Sequence, residues 1–96
     1  MVRPEGELTF LWDDRPGKNV EHILRHGLTP ELWEQVYVAA IRRRADVDDA
    51  SIEVAEGRVV GCLYRIVYEV LGSSRVRPIE IFPITGLPVR RRDLER

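Results

Sequence analysis

Apolar residues alternate along the centre of the chain, which predicts one long β-hairpin. From residue 60 to residue 70 every second residue is apolar, and this period of two is typical of a strand with one face in a core. The alternating residues are Val60, Cys62, Tyr64, Ile66, Tyr68 and Val70. The residues between them are only half apolar, so we expect the other face of the sheet to be partly open to solvent.

The register of this hairpin follows from the length of its loop. Residues 72–75, Gly-Ser-Ser-Arg, supply the turn, after which the chain returns with alternating isoleucines. A four-residue loop pairs Tyr68 with Ile79 and Ile66 with Ile81. A slip of one residue would exchange the two faces of the strand, so the register is a testable expectation.

The chain before the hairpin predicts a strand and two helices. Residues 7–12 alternate as a strand, and residues 18–26 have apolar residues at helical spacing. Thr29 and the proline after it begin a second helix, because a hydroxyl caps the first turn and proline fits there. This helix is expected to extend to about Arg43 and to carry the arginine triplet of residues 42–44 at its C-terminal end, where cations are favoured.

Each helix has an apolar side and a polar side. The core stripe of the first helix consists of Val20, Ile23, Leu24 and Gly27. Four basic or titratable residues fall together on its opposite side, namely Lys18, His22, Arg25 and His26. The second helix is expected to bury four apolar residues and to place two aromatic rings at the core edge: Leu32, Val36, Ala39 and Ala40, with Trp33 and Tyr37 beside them.

These elements together predict an α+β domain. Residues 51–55 form a short strand, Glu56 and Gly57 turn the chain into the hairpin, and residues 85–88 end the sheet. The expected fold is an antiparallel β-sheet of about four strands, with two helices between strand 1 and strand 2 packed on one face. The 96 residues are expected to form a single domain, with residues 88–96 as a short charged tail.

Composition and charge narrow the classes of function. No apolar run approaches the roughly 18 residues of a membrane span, and no apolar signal region follows the first residues, so we expect a cytoplasmic protein without a membrane partner. Fifteen basic and sixteen acidic residues give a formal charge of −1, so any nucleic-acid site must be local. The single cysteine, Cys62, excludes an internal disulfide and is expected to be buried and inert.

Most signatures of catalysis and of metal binding are absent. The chain has no glycine-rich phosphate loop, no paired cysteines for zinc and no nucleophile elbow. His22 and His26 are four residues apart and could reach one metal, but Ile23 stands where helical zinc proteases have a glutamate. With no third ligand indicated, we predict no metal and no cofactor, and the histidines are then surface residues of a basic helical stripe.

Arg65 interrupts an otherwise apolar strand centre, where a charge is costly unless it is paired or faces an open surface. Two interpretations remain open. Arg65 is either one half of a cross-strand pair with Glu80, or a cation on the open face of the sheet. In the second case it would hold a phosphate and stabilise the charge that develops during phosphodiester cleavage.

Three segments resemble a known family. In residues 12–36, WDDRPGKNVEHILRHGLTPELWEQV, a strand ends in Trp-Asp and a helix ends in a basic residue followed by His-Gly. GCLYRIVYEV, from residue 61, and ITGLPVRRRD, from residue 84, follow in the same order. This arrangement resembles the BrnT family of bacterial toxins, with its central strands and its closing segment before a basic C-terminal helix.

The resemblance implies a RelE-type fold and a toxin of a toxin–antitoxin pair that cuts RNA without a metal. Expected partners are a small DNA-binding antitoxin, an RNA substrate and a second copy of the chain. Carried over by position, Arg65 and His26 are the catalytic candidates, while Trp12 and Tyr68 are expected to be structural. The nucleic-acid-binding candidates are Lys18, His22, Arg25, Arg90, Arg91 and Arg92.

The chain departs from the family at two places. Cys62 and the pair Gly86-Leu87 stand where the family often has arginines. Whether the chain is an enzyme therefore stays open at this point. The alternatives are a non-catalytic protein-binding module of the same fold, or a regulator that binds nucleic acid without cutting it.

Overall fold

The structure, a computed structural model, describes residues 8–71 and 79–90. Two helices and five strands follow one another along the chain: β1 (Leu8–Phe10), α1 (Asn19–Arg25), α2 (Pro30–Val38), β2 (Ala40–Ala45), β3 (Ile52–Val59), β4 (Cys62–Leu71) and β5 (Ile79–Pro88). The α+β class is confirmed, as is the position of both helices between the first and second strands. No helix within the described ranges is long and apolar enough to span a membrane.

The sheet is mixed, and its strands lie in the order β1-β5-β4-β3-β2. β1 pairs with β5 in parallel, whereas β5, β4, β3 and β2 pair in antiparallel fashion. The expectation of about four antiparallel strands is therefore wrong in number and in direction. Alternation along the chain predicts single strands, but it does not determine which strand becomes the neighbour of the first one.

One core lies between the helices and one face of the sheet. Its fully buried apolar side chains come from both helices, the segment between them and three strands: Ile23, Leu28, Trp33, Val36, Ala55, Ile66, Tyr68 and Ile81. Because all of them belong to a single cluster, both helices cover the same face of the sheet. The prediction that the helices pack on one face is confirmed. Trp33, expected at the core edge, lies at the centre of the core.

The arginine triplet of residues 42–44 lies in a strand and not at the end of a helix. α2 ends at Val38, and β2 then pairs with β3 from Ala40 to Ala45. Arg43 stabilises this arrangement, because its guanidinium group lies 4.2 Å from the centre of the Tyr37 ring. Pairing with an otherwise open strand edge thus outweighs the local helical preference of these residues.

The turn into the hairpin also lies later than expected. β3 continues through Glu56 and Gly57, and the turn is formed by Val60 and Gly61, with φ angles of 49° and 81°. Two consecutive positive φ angles are characteristic of the tight turns that match the twist of paired strands. Gly57 serves a different purpose, because a Cβ atom there would lie 2.6 Å from the backbone oxygen of Val36.

The apolar series of the hairpin reaches the core only from Tyr64 onward. Val60 is 95% exposed, and Cys62, which was expected to be buried, is also exposed. Both lie at the tip of the β3–β4 hairpin, next to the turn. On α1, Ile23 is fully buried but Leu24, also expected in the core, is half exposed.

The register between β4 and β5 differs from the expected one by four residues at Tyr68 and by five residues at Ile66. Tyr68 pairs with Pro83, and Ile66 pairs with Gly86. The predicted turn at residues 72–75 lies outside the described residues. An irregularity next to Tyr68 leaves Ile84 without a partner residue on β4. The expectation that residues 85–88 end the sheet is wrong, because β5 continues through them to Pro88.

Candidate functional site on the open face of the sheet

The face of the sheet opposite the helices carries the candidate site. We call it the open face, and it includes the residues that alternate with the buried ones: Arg42, Ile52, Val54, Glu56, Leu63, Arg65, Val67, Glu69, Phe82 and Leu87. Most of these side chains are partly exposed, and both described helices lie on the other side of the sheet. A mixture of apolar and charged side chains is thus accessible across three central strands.

Arg65 and Glu56 form a close ion pair on the open face. The pairing of β3 with β4 places them directly opposite each other. Arg65 Nε donates a 2.8 Å hydrogen bond to Glu56 Oε2, and Arg65 Nη2 lies 2.7 Å from the same oxygen. The Arg65 side chain is 35% exposed and that of Glu56 only 13%. The pair is therefore partly shielded from water, which strengthens its electrostatic interaction.

A second arginine lies on the other side of Glu56. Arg42 of β2 is the register partner of Glu56, and its Nη1 lies 3.9 Å from Glu56 Oε1. The carboxylate therefore lies between two guanidinium groups on three adjacent strands, and the group of three carries a net positive charge. We call these residues the open-face triad: Arg42, Glu56 and Arg65.

The predicted pair of Arg65 with Glu80 is wrong. Glu80 pairs with Leu71, and Arg65 lies opposite Leu87 on β5. The difference in register, four residues at Tyr68 and five residues at Arg65, accounts for this change. A cross-strand carboxylate partner does exist, but it comes from β3 and not from the returning arm of the hairpin.

His26 lies on the other side of the sheet from Arg65. His26 is the C-cap residue of α1, so it lies with the helices, whereas Arg65 lies on the open face. The rings of His22 and His26 are in edge contact, with their centres 5.2 Å apart, and His22 Nε2 lies 3.0 Å from Thr85 Oγ1. The structure thus does not bring the two predicted catalytic residues into one site.

The other predicted nucleic-acid-binding residues are distributed over two regions. Lys18, His22 and Arg25 are exposed along α1, and Arg25 Nη2 lies 3.3 Å from Glu21 Oε1. Arg90 is exposed next to Val89, whose backbone N–H donates to the carbonyl oxygen of Leu63. Arg91 and Arg92 lie outside the described residues.

A cavity of about 410 Å³ lies between α1 and the β5 edge. Its lining residues are Asp13, Gly17, Lys18, Asn19, His22, Phe82, Pro83 and Ile84. Asn19 fixes this junction, because its Nδ2 donates to the carbonyl oxygens of Leu11 and Pro83, each at 3.0 Å. Hydrogen bonds from Arg15 lower the pKa of the Asp13 carboxyl to about 2. The carboxylate of Asp13 is therefore already paired with the guanidinium group of Arg15.

A polar cluster locks β2 to the edge of the core. Tyr68 Oη donates a 2.7 Å hydrogen bond to Glu53 Oε1 and accepts one of 3.0 Å from Arg43 Nη1. Arg43 Nη2 also donates to the carbonyl oxygen of Tyr37 at 2.6 Å. Burial, with a further contribution from the hydrogen bond to Glu53, raises the pKa of Tyr68 far above its ordinary value. This tyrosine is neutral at ordinary pH, and its contacts are those of a structural residue.

Glu56 and Asn19 have important contacts that the sequence alone does not indicate. The Glu-Gly pair predicts a turn at Glu56, although charged residues alternate with small or apolar ones from Ala55 to Val59. That alternation was the available signal. Asn19 follows Gly-Lys at the start of a helix, where an asparagine usually caps its own helix and does not bind a distant strand.

Within residues 8–71 and 79–90, no group of three or more His, Cys, Asp or Glu side chains is placed to hold a metal ion. The chemistry that the described residues offer is that of a carboxylate between two guanidinium groups. Comparisons with protein-family models, curated proteins and solved structures find no match for this chain.

Proposed function

We propose that this chain is a metal-independent endoribonuclease, a BrnT-like toxin of a toxin–antitoxin pair, and that the open-face triad is its active site. The observation that carries the proposal is the position of Glu56 between Arg65 and Arg42 on an accessible sheet face. A carboxylate that accepts a proton, beside guanidinium groups that bind phosphate, is the minimum that RNA cleavage requires.

The proposed reaction uses the 2′-hydroxyl of RNA as its nucleophile. Glu56 accepts the proton of this hydroxyl while the 2′ oxygen bonds to phosphorus. The bond between phosphorus and the 5′ oxygen breaks, and water supplies the proton that the leaving oxygen takes. The products are a 2′,3′-cyclic phosphate and a 5′-hydroxyl end. Arg65 and Arg42 stabilise the extra negative charge that develops on the phosphate oxygens. Their guanidinium groups thus supply the positive charge that the reaction needs.

The ion pair of the free protein is compatible with this role. Arg65 uses the Nε and Nη2 edge of its planar guanidinium group for Glu56 Oε2, while Glu56 Oε1 has the longer 3.9 Å contact with Arg42. A phosphate that binds to Arg65 would compete with Glu56 for the same donors. The carboxylate would then be released next to the bound phosphodiester, where its function as a base is needed.

A second candidate function is protein binding through the same face without catalysis. The observation that favours it is the apolar surround of the triad, formed by partly exposed side chains such as Ile52, Val54 and Val67. The formal charge of −1 also suits a protein partner at least as well as RNA. A small DNA-binding antitoxin that covers the open face would use these contacts in either case.

The test is cleavage of RNA by the purified chain in the presence of a chelator. A long single-stranded RNA and an mRNA on ribosomes are both offered, and the new ends are analysed for 2′,3′-cyclic phosphate. We expect discrete products from the wild type and a loss of about 10²-fold or more in rate for Glu56→Gln, which retains an acceptor for Arg65 but not the base.

Glu31→Gln is the matched control, because Glu31 is an exposed carboxylate at the start of α2. It should cut at the rate of the wild type. Failure of the wild type to cut either substrate, while it remains folded, would overturn the enzymatic proposal and leave the protein-binding candidate. Equal rates for Glu56→Gln and wild type would exclude Glu56 as the base.

A further inference from the structure

The cavity between α1 and β5 has a lining that the proposed active site does not use. One part of the wall is apolar, with Phe82 and Ile84, and another part contains Lys18 and His22. Phe82 is 39% exposed, more than any other Phe, Tyr or Trp side chain in the described part of the chain. An accessible aromatic ring beside a cation is the combination that binds the base and the phosphate of one nucleotide.

We infer that this cavity is a nucleotide-binding subsite, in which Phe82 stacks on a base and Lys18, together with His22, holds an adjoining phosphate. The inference rests on the proposed function, because the nucleotide would belong to the RNA that reaches the open-face triad. The subsite would bind one nucleotide of the RNA at a distance from the bond that is cut.

The charges around the cavity favour an anionic ligand. Lys18 is exposed, and it is the only lysine of the chain; its charge acts on Asp13 at a distance, but it forms no close ion pair with another described residue. The one carboxylate in the lining, Asp13, is bound by the guanidinium group of Arg15. His22 already has a polar neighbour in Thr85 Oγ1 at 3.0 Å, which fixes its ring at the wall of the cavity. An apolar peptide side chain would use the ring of Phe82 but not these groups.

Phe82 of the cavity lies on β5, the strand next to β4, which carries Arg65 of the triad. Arg65 of β4 is the register partner of Glu56, and Glu69, four residues later, is the register partner of Phe82. Four strand residues extend over about 13 Å, so a single strand of RNA that crosses the open face and continues over the edge of β5 can contact both places. Phe82 itself lies on the open face, because its neighbours Ile81 and Pro83 are buried on the other side.

Binding of an RNA analogue that cannot be cut separates this inference from the catalytic one. A short 2′-O-methylated oligonucleotide has no nucleophilic 2′-hydroxyl, and its affinity can be measured by fluorescence anisotropy. We expect Phe82→Ala to weaken binding roughly tenfold, which is the scale of one lost base stack, and Phe82→Trp to restore it. Val38→Ala is the matched control, because Val38 is an exposed apolar side chain on α2 and should not matter.

The phosphate contact has its own measurement. For a single-stranded ligand, each lost phosphate contact reduces the slope of log affinity against log salt by about 0.7. We expect this reduction for Lys18→Gln and not for Arg58→Gln, which removes the same charge from an exposed residue near the β3–β4 turn that does not line the cavity.

The outcomes distinguish the two proposals. Unchanged affinity of Phe82→Ala, with RNA cutting by the wild type intact, would overturn the subsite and leave the ribonuclease. A wild type that cuts no RNA but binds the analogue in a manner sensitive to Phe82 and Lys18 would support the subsite and overturn the cleavage step. A wild type that neither binds nor cuts would overturn both.

Discussion

The two faces of the same central strands are different surfaces. On the helix-covered face, Ala55, Ile66 and Tyr68 are fully buried. On the open face, their chain neighbours Glu56 and Arg65 form an ion pair that solvent can reach. Strand alternation thus lets adjacent residues meet separate requirements, with packing on one side and binding on the other. The comparison teaches that substitutions on one face should change stability, and those on the other should change binding.

The largest expected difference between the two faces is the loss of stability when an aromatic ring is removed from each. Trp33→Ala removes a fully buried ring from the helix-covered face and should lower the free energy of unfolding by about 3–5 kcal/mol. Phe82→Ala on the open face should lower it by less than about 1 kcal/mol. Chemical denaturation of both variants measures the difference. Equal losses would mean that the open face is covered in the free protein, which would contradict the proposed difference between the two faces.

A smaller effect is expected where α2 approaches β3. In Gly57→Ala the new Cβ would lie 2.6 Å from the backbone oxygen of Val36, so helix and strand must separate, at a cost of about 1–3 kcal/mol. Gly86→Ala is the comparison, since its nearest neighbours are side-chain atoms of Trp33 and Leu28 at 3.0 and 3.1 Å. Side chains can adjust more readily than backbone, so the loss for Gly86→Ala should be less. The reverse order in denaturation experiments would contradict the close approach of α2.

The smallest effect concerns the polar boundary of the core. Tyr68→Phe leaves Glu53 and Arg43 without their shared hydroxyl and should cost about 1 kcal/mol at neutral pH. Tyr64→Phe, on the same side of β4 and without a hydrogen bond to its hydroxyl among the described contacts, should cost less.

The same pair of variants gives a pH dependence. The pKa of Tyr68 is higher in the folded than in the unfolded chain, where it has the ordinary value near 10. Above that pH the unfolded chain loses a proton that the folded chain retains, so stability falls as pH rises. Wild type and Tyr64→Phe should both lose stability in this alkaline range, and Tyr68→Phe should lose less. Identical alkaline profiles for all three would show that the Tyr68 hydroxyl is not protected.

The sequence is sufficient to predict the class of the fold and to identify which face of β4 is buried. The apolar residues from Tyr64 to Val70 identified the buried side of β4, because burial of one face imposes a period of two. Thr29 and Pro30 located the start of α2, where Thr29 Oγ1 accepts a hydrogen bond from the Leu32 N–H. Both features depend on residues close together in the chain.

Features that depend on contacts between residues far apart in the chain cannot be predicted from local sequence patterns. The arginines of residues 42–44 fit the end of a helix as well as an edge strand, and only the pairing of β2 with β3 decides between them. The sequence marks Arg65 as an unusual charge in an apolar strand, but it does not indicate Glu56 as its partner, because Glu56 and Gly57 also fit a turn. The actual turn contains Val60 at a positive φ, which β-branched residues rarely adopt.

The parallel pairing of β1 with β5 affects when the protein can fold. Leu8 is the register partner of Ile79, so nearly the whole described chain separates the two strands that meet at this edge. During synthesis, residues 8–10 must wait for their partner until β5 has left the ribosome. Contacts between residues so far apart in the chain slow folding, because closing a long loop loses entropy before the contact forms. The edge at β1 should therefore form late, after the local hairpin of β3 and β4.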